Sequence, residues 1–158
     1  LGLDGDGAAV AAKWYREYRR DVYRLAYMVT RNPAMAEDIC QDVFLTVLER
    51  PAAYENAGGP KPWLLTVARN KALNLVRRES RTVPLAADLP DENARDDDSG
   101  IVFLDILKPL NPTQRQIVLF RAVYGLKHKD IARMLGLSPA AVRQAYGRAL
   151  KMLKEELK

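Results

Sequence analysis

Residues 127–153 read KHKDIARMLGLSPAAVRQAYGRALKML. Apolar positions Ile131, Ala132 and Leu135 end at Gly136, and Ser138-Pro139 then supplies a cap and a first-turn proline for a second helix carrying Val142, Ala145, Tyr146, Ala149 and Leu153. Two helices joined by a tight glycine turn form a helix-turn-helix. Ile131, Ala132 and Leu135 are expected to pack on Val142 and Tyr146, with Leu137 filling the corner. That packing would hold the second helix proud of its domain, free to enter a major groove about 12 Å wide. Arg143 and Gln144 then lie where they can donate to base edges. Arg148 and Lys151 can reach phosphates or bases, and Lys127 and Lys129 can hold the flanking backbone. The plainer alternative is a helical hairpin with a solvated basic face and His128 on its surface.

Working toward the N-terminus, Asn111-Pro112 marks the start of a helix over 112–123 that Gly125 closes. Before it, IVFLDILKPL (101–110) suggests a short apolar helix broken at Pro109. In the first half of the chain, Trp14, Tyr18, Val22, Leu25 and Val29 recur at helical spacing. Asn32-Pro33 restarts a helix through Ile39, Val43 and Val47 until Pro51, and a third runs from Trp63 to about Glu79. No segment alternates like a strand and no internal repeat is evident. The fold class is all-α, with two small helical domains joined by an acidic flexible linker and the helix-turn-helix in the C-terminal one.

The 158 residues suffice for one ordinary or two small domains. No run of about 18 apolar residues could insert into a membrane. The single cysteine, Cys40, permits no internal disulfide and suits a reducing cytoplasm. It reads as a small buried hydrophobe or, less simply, as a redox group. Residues 1–12 read as a flexible N-terminus. Charge divides along the chain: residues 1–82 carry a net +3, residues 83–100 a net −5 from six carboxylates against Arg95, and residues 101–158 a net +7. Two basic blocks around an acidic tether fit contact with a polyanion, although an acidic run can equally be a solvated linker. Catalysis has little support. His128 is the only histidine, no phosphate-binding loop occurs, and no metal site or cofactor is called for; Asp96, Asp97 and Asp98 lack fixed geometry.

Taken together, LKPLNPTQRQIVLFRAVYGLKHKDIARMLGLSPAAVRQAYGRALKML resembles the −35-recognition domain of the extracytoplasmic-function (ECF) group of bacterial sigma factors. AEDICQDVFLTVLER is similar to their polymerase-clamp-binding helix, and PWLLTVARNKALNLVRRESR to the helix that melts and reads the −10 element. The resemblance implies a sigma region 2 domain over 13–80, an acidic linker over 81–103 and a region 4 domain over 104–158. It implies core RNA polymerase, promoter DNA and an anti-sigma factor as partners. It assigns core binding to Asp38, Gln41, Asp42, Leu45 and Glu49, which also step along one acidic helix face. It assigns the −10 element to Tyr54, Glu55, Asn56, Trp63, Arg69, Asn70, Lys71, Asn74, Arg77 and Arg78, the last six matching the cation-plus-amide mixture of a strand-binding helix. Tyr54 and Trp63 could equally be core aromatics. The −35 duplex falls to Lys127, Lys129, Ser138, Arg143, Gln144, Gly147, Arg148 and Lys151, with Ala145 and Gly147 standing where relatives often carry larger side chains. The acidic linker would lie in the path of nascent RNA. A stand-alone helix-turn-helix regulator binding an operator as a dimer is the competing expectation.

Overall fold

A computed structural model describes residues 5–49, 59–79 and 107–156, with side chains from residue 7 onward. The chain divides into two compact units, Leu1–Leu85 and Ala86–Lys158. All described elements are helical.

In the first unit, α1 (Gly5–Thr30), α2 (Pro33–Glu49) and α3 (Pro60–Glu79) pack pairwise around one core. Val22, Leu25, Val43, Val47, Leu64 and Leu65 are its largest fully buried side chains. Val22 and Leu25 lie three apart, Val43 and Val47 four apart, and on α3 Leu64, Ala68 and Ala72 recur every four with Leu65 beside them, so one stripe of each helix turns inward. Burying a Val, Leu or Ile contributes about 1.5 to 3 kcal/mol, which makes this seam the main stabilising term of the unit. The turn between α1 and α2 is closed locally. Arg31 adopts φ 59° and donates its backbone N–H to the Tyr27 carbonyl at 2.8 Å. Asn32 Oδ1 then accepts from the backbone of Ala34 (2.9 Å) and Met35 (3.1 Å), so it caps α2 ahead of Pro33.

α1 begins at Gly5, so residues 5–12 are helical where a flexible end was expected. Their alanines have the highest helix propensity, and Ala11 is buried at 7% exposure, which gives this end both a local and a tertiary reason to be helical. α3 likewise starts at Pro60, three residues before Trp63, because proline fits a first helical turn where its missing N–H has no partner to lose. Lys61 Nζ lies 3.8 Å from Asp21 Oδ2 and joins that turn to α1.

The described part of the second unit starts with a turn, in which the Leu110 N–H donates to the Leu107 carbonyl at 3.0 Å. Of the helix expected over 101–110, residues 107–110 form a turn and the rest lies outside the described residues. Asn111 and Gln114 form a reciprocal capping box at 2.8 and 3.1 Å and start α4 (Pro112–Val118). The helix continues as a π-helical turn over Leu119–Val123, and Gly125 exits at φ 69°. α5 (His128–Leu135) and α6 (Pro139–Glu156) follow. Leu107, Leu110, Val118, Ala149 and Leu153 form one cluster with Tyr146 against it, while Ile117, Phe120, Ile131, Ala132 and Val142 are also buried. One expectation fails here: Leu137 is 38% exposed, and Met134 is buried instead. Leu137 follows the left-handed Gly136, whose turn sends the next side chain outward.

Cys40 is 1% exposed, its thiol faces the Arg19 carbonyl at 3.9 Å, and burial, then Glu37, pushes its pKa up to about 11. A thiol so held is a poor nucleophile. In the folded protein it is expected to react with Ellman's reagent at mildly alkaline pH only at the rate of unfolding, and fully once denaturant is added; rapid stoichiometric labelling of native protein would contradict this.

Candidate nucleic-acid interface

The helix-turn-helix is built by one backbone event. Gly136 takes φ 70° and ψ 32°, a left-handed conformation that glycine adopts at no steric cost, and its N–H and that of Leu137 both return to the Ala132 carbonyl. Ser138 Oγ then accepts from the Ala141 N–H at 3.1 Å and starts α6. Because Val142, Ala149 and Leu153 face the core, Arg143, Gln144, Gly147, Arg148 and Lys151 fall together on the outer side, all exposed. Lys127, Lys129 and Ser138 are exposed as well. Lys127 occupies the cap position of α5, where its ammonium, a donor with no acceptor, cannot cap the helix N–H groups. A Cβ on Gly147 would meet nothing within 4 Å, so the glycine is not required by packing.

His128, expected on the surface, is instead half-buried. Its ring meets Tyr146 edge-on at 5.4 Å, and its Nδ1 is buried with no hydrogen-bond partner. Burial, then the nearby Arg121 and Arg143, holds its pKa below the usual imidazole value. A usable signal was present in the spacing, since His128 and Tyr146 flank the apolar pairs that close the motif. Asp130, 5% exposed in the first turn of α5, was also unforeseen; its Oδ1 lies 3.5 Å from Arg133 Nη1.

In the first unit, α2 turns Asp38, Gln41, Asp42, Leu45 and Glu49 to solvent, opposite Ile39, Val43 and Val47. Leu45 is 53% exposed amid these polar groups. Glu37, at the margin of this face, pairs with Arg19 at 3.6 Å. On α3, Asn70, Asn74, Arg77 and Arg78 are exposed and share one side. Trp63, Arg69 and Lys71 are half-buried. Burial, then Arg77, lowers the Arg69 pKa. Tyr54, Glu55 and Asn56 lie outside the described residues.

An acidic helix face and a strand-binding type of basic face share one unit, and a helix-turn-helix occupies the other. Residues 14–82 match the sigma-70 region 2 family, and residues 102–153 match sigma-70 region 4. The RNA polymerase sigma factor CarQ of Myxococcus xanthus is 35% identical over 143 residues, covering 84% of this chain and 80% of that protein. The ECF RNA polymerase sigma factor SigK of Mycolicibacterium vanbaalenii is 30% identical over 166 residues, 95% of this chain and 82% of SigK. The chain belongs to the ECF group of the sigma-70 family. The sigma factor RpoE of Bartonella quintana, solved with the anti-sigma factor NepR, shares the fold at a TM-score of 0.64 and 20% identity, over 92% of this chain and 95% of that one. As an ECF sigma factor, the protein directs RNA polymerase to promoters; a dimeric operator-binding regulator is not favoured, because the first unit is sigma region 2. Among the described residues, no helix is long and apolar enough to cross a membrane.

Two outcomes follow from the second unit. Gly147→Ala should raise its stability by about 0.5 to 1 kcal/mol, seen as a higher denaturation midpoint, because the helix gains propensity without a clash. Burial, then Arg121 and Arg143, lowers the His128 pKa in the fold, so the unfolded chain binds more protons as the pH falls through the unfolded value. Stability should be level above about pH 6.5 and fall as pH drops below it, and His128→Phe should flatten that decline while keeping a ring against Tyr146.

Proposed function

We propose a residue-level division of labour for this sigma factor. Asp38, Gln41, Asp42, Leu45 and Glu49 on α2 form the surface for core RNA polymerase, the carboxylates pairing with basic groups and Leu45 filling an apolar site. Asn70, Asn74, Arg77 and Arg78, flanked by Lys71, Arg69 and Trp63, hold the separated −10 strand by phosphate contact and hydrogen bonds to base edges. Tyr54, Glu55 and Asn56 form the pocket for an extruded −10 base, whose capture offsets the cost of opening the duplex. α6 enters the −35 major groove, with Arg143 and Gln144 donating to bases, Arg148 and Lys151 alongside, and Lys127, Lys129 and Ser138 on the backbone.

The observation that supports this division most is the separation of charge by helix face: carboxylates without cations on the outer side of α2, and Arg143, Arg148 and Lys151 without a carboxylate on the outer side of α6 from Pro139 to Lys151. Residues 13–80, 81–103 and 104–158 are the corresponding functional segments, the acidic middle one imitating nucleic acid until RNA displaces it. The protein acts in the cytoplasm as an initiation factor and performs no catalytic step of its own. The complex of the sigma factor RpoE with the anti-sigma factor NepR supports an anti-sigma factor as the regulatory partner here too.

The test is run-off transcription with purified core enzyme on a promoter library. Asp38→Arg/Gln41→Ala should lose core binding and all transcripts. Arg143→Ala/Gln144→Ala should keep core binding and lose upstream-element discrimination, by about 1 to 3 kcal/mol per bidentate contact removed. Core binding intact in the first variant, or unchanged promoter selection in the second, would overturn the assignment of that face.

A further inference from the structure

His128 is the one histidine of the chain, and the division of labour above leaves it without a part. It opens α5 between the exposed Lys127 and Lys129, and its ring meets Tyr146 of α6 edge-on at 5.4 Å. Nδ1 is buried without a hydrogen-bond partner, although the residue as a whole is only half-buried. The nitrogen on the open side of the ring is therefore Nε2. A proton on Nδ1 would be a buried donor with no acceptor, so the neutral ring carries its proton on Nε2.

Among the described residues, the charges that act on the ring are cationic. Arg121 comes from the π-helical turn, where its Nη1 donates to the Leu126 carbonyl at 3.1 Å and is held in place by that bond. Arg143 comes from α6, one turn before Tyr146. Lys127 and Lys129 flank the ring on its own segment. The carboxylate nearest in sequence, Asp130, is buried and lies 3.5 Å from Arg133. Burial, then the two guanidinium groups, disfavours the imidazolium in the free protein. A duplex on the helix-turn-helix reverses the sign of these surroundings. When the second helix enters the major groove, the first crosses the phosphate backbone. Phosphates held by Lys127 and Lys129 then bring negative charge to the open side of the ring, and an opposite charge within about 4 to 6 Å favours the charged form of a titrating group.

We propose that duplex binding takes up one proton from solvent at His128: a backbone phosphate lies against Nε2, and the imidazole becomes an imidazolium between Lys127 and Lys129. The proposal rests on α6 lying in the major groove and adds to that reading a contact and a proton it does not contain. The bound state then holds more protons than the free one, so affinity rises as the pH falls through the interval between the free and the bound midpoint. His128 is the only side chain of its type in the chain, and Cys40, pushed up to about 11, stays protonated across that interval. Proton uptake near neutrality therefore has a single source on the side chains.

The test uses the full chain without polymerase and a fluorescein-labelled, mixed-sequence DNA duplex of about 20 base pairs at low salt, where phosphate contacts are strongest. Proton NMR follows the single imidazole Cε1–H resonance against pH, free and with saturating duplex, and anisotropy gives the affinity from about pH 7 down to about pH 5.5. The duplex should raise the His128 midpoint by about 1 pH unit, and affinity should gain up to about tenfold on acidification, the factor that such a rise is worth. His128→Gln, which keeps a neutral donor, and His128→Phe, which keeps a ring against Tyr146, should both lose that gain while thermal unfolding shows them folded. A midpoint that the duplex leaves in place or lowers overturns the proposal, as does a gain that survives in His128→Gln or a wild type that binds no duplex. Arg148→Gln/Lys151→Gln separates the proton from the groove. If that variant loses affinity while the wild-type midpoint stays in place, the reading of α6 stands and the proton link fails; if it binds as tightly as wild type, the reading of α6 fails and the proposal with it.

Discussion

A short helix can bury one stripe, and the choice of stripe fixes what the rest of the helix shows to solvent. That constraint governs both units. In α6, Val142, Ala149 and Leu153 turn inward, and in α2, Ile39, Val43 and Val47 do. Each buried aliphatic side chain contributes about 1.5 to 3 kcal/mol, whereas the solvent-screened pair of Arg19 with Glu37 adds little. The apolar seam therefore sets the rotation of each helix. Charged residues ride along and are held where partners can reach them.

The same constraint explains how one small chain presents surfaces of opposite sign. Acidic positions 38 and 42 and basic positions 143, 148 and 151 are each placed by a hydrophobic seam of their own, so neither surface has to be stabilised by internal salt bridges. The side chains remain available for binding. Where a polar group is instead folded inward, as with Asp130, it takes a structural part: its carboxylate sits in the first turn of α5, where the helix dipole favours it.

Much of this was legible from the sequence because the signals were local. Gly136, Ser138-Pro139, Asn111 with Gln114, and Asn32-Pro33 each announce a helix boundary through a backbone conformation or cap that few other residues satisfy. Exposure of the α2 and α6 site residues followed from periodicity. What escaped depended on tertiary neighbours. Leu137 looked like core, but the left-handed turn before it points it outward. His128 looked exposed, but Tyr146 comes from the other helix. Arg69 looked equivalent to Arg77, yet it sits one turn after Leu65 and beside Ala68, on the flank of the buried stripe. That spacing contained the information. The first turns of α1 were missed because glycine and aspartate suggested fraying, while the burial of Ala11 requires a folded neighbour.

The direct measurement is residue-level covalent labelling of exposed side chains, read by mass spectrometry, on the free protein, on the protein with core RNA polymerase, and on that complex with promoter DNA. Asp38, Asp42 and Glu49 should lose labelling when core enzyme is added, and Lys127, Lys129 and Lys151 only when promoter is added. If the α2 carboxylates stay fully labelled in the polymerase complex, or the α6 lysine is shielded before any DNA is present, the outward faces fixed by the two cores are not the surfaces that bind.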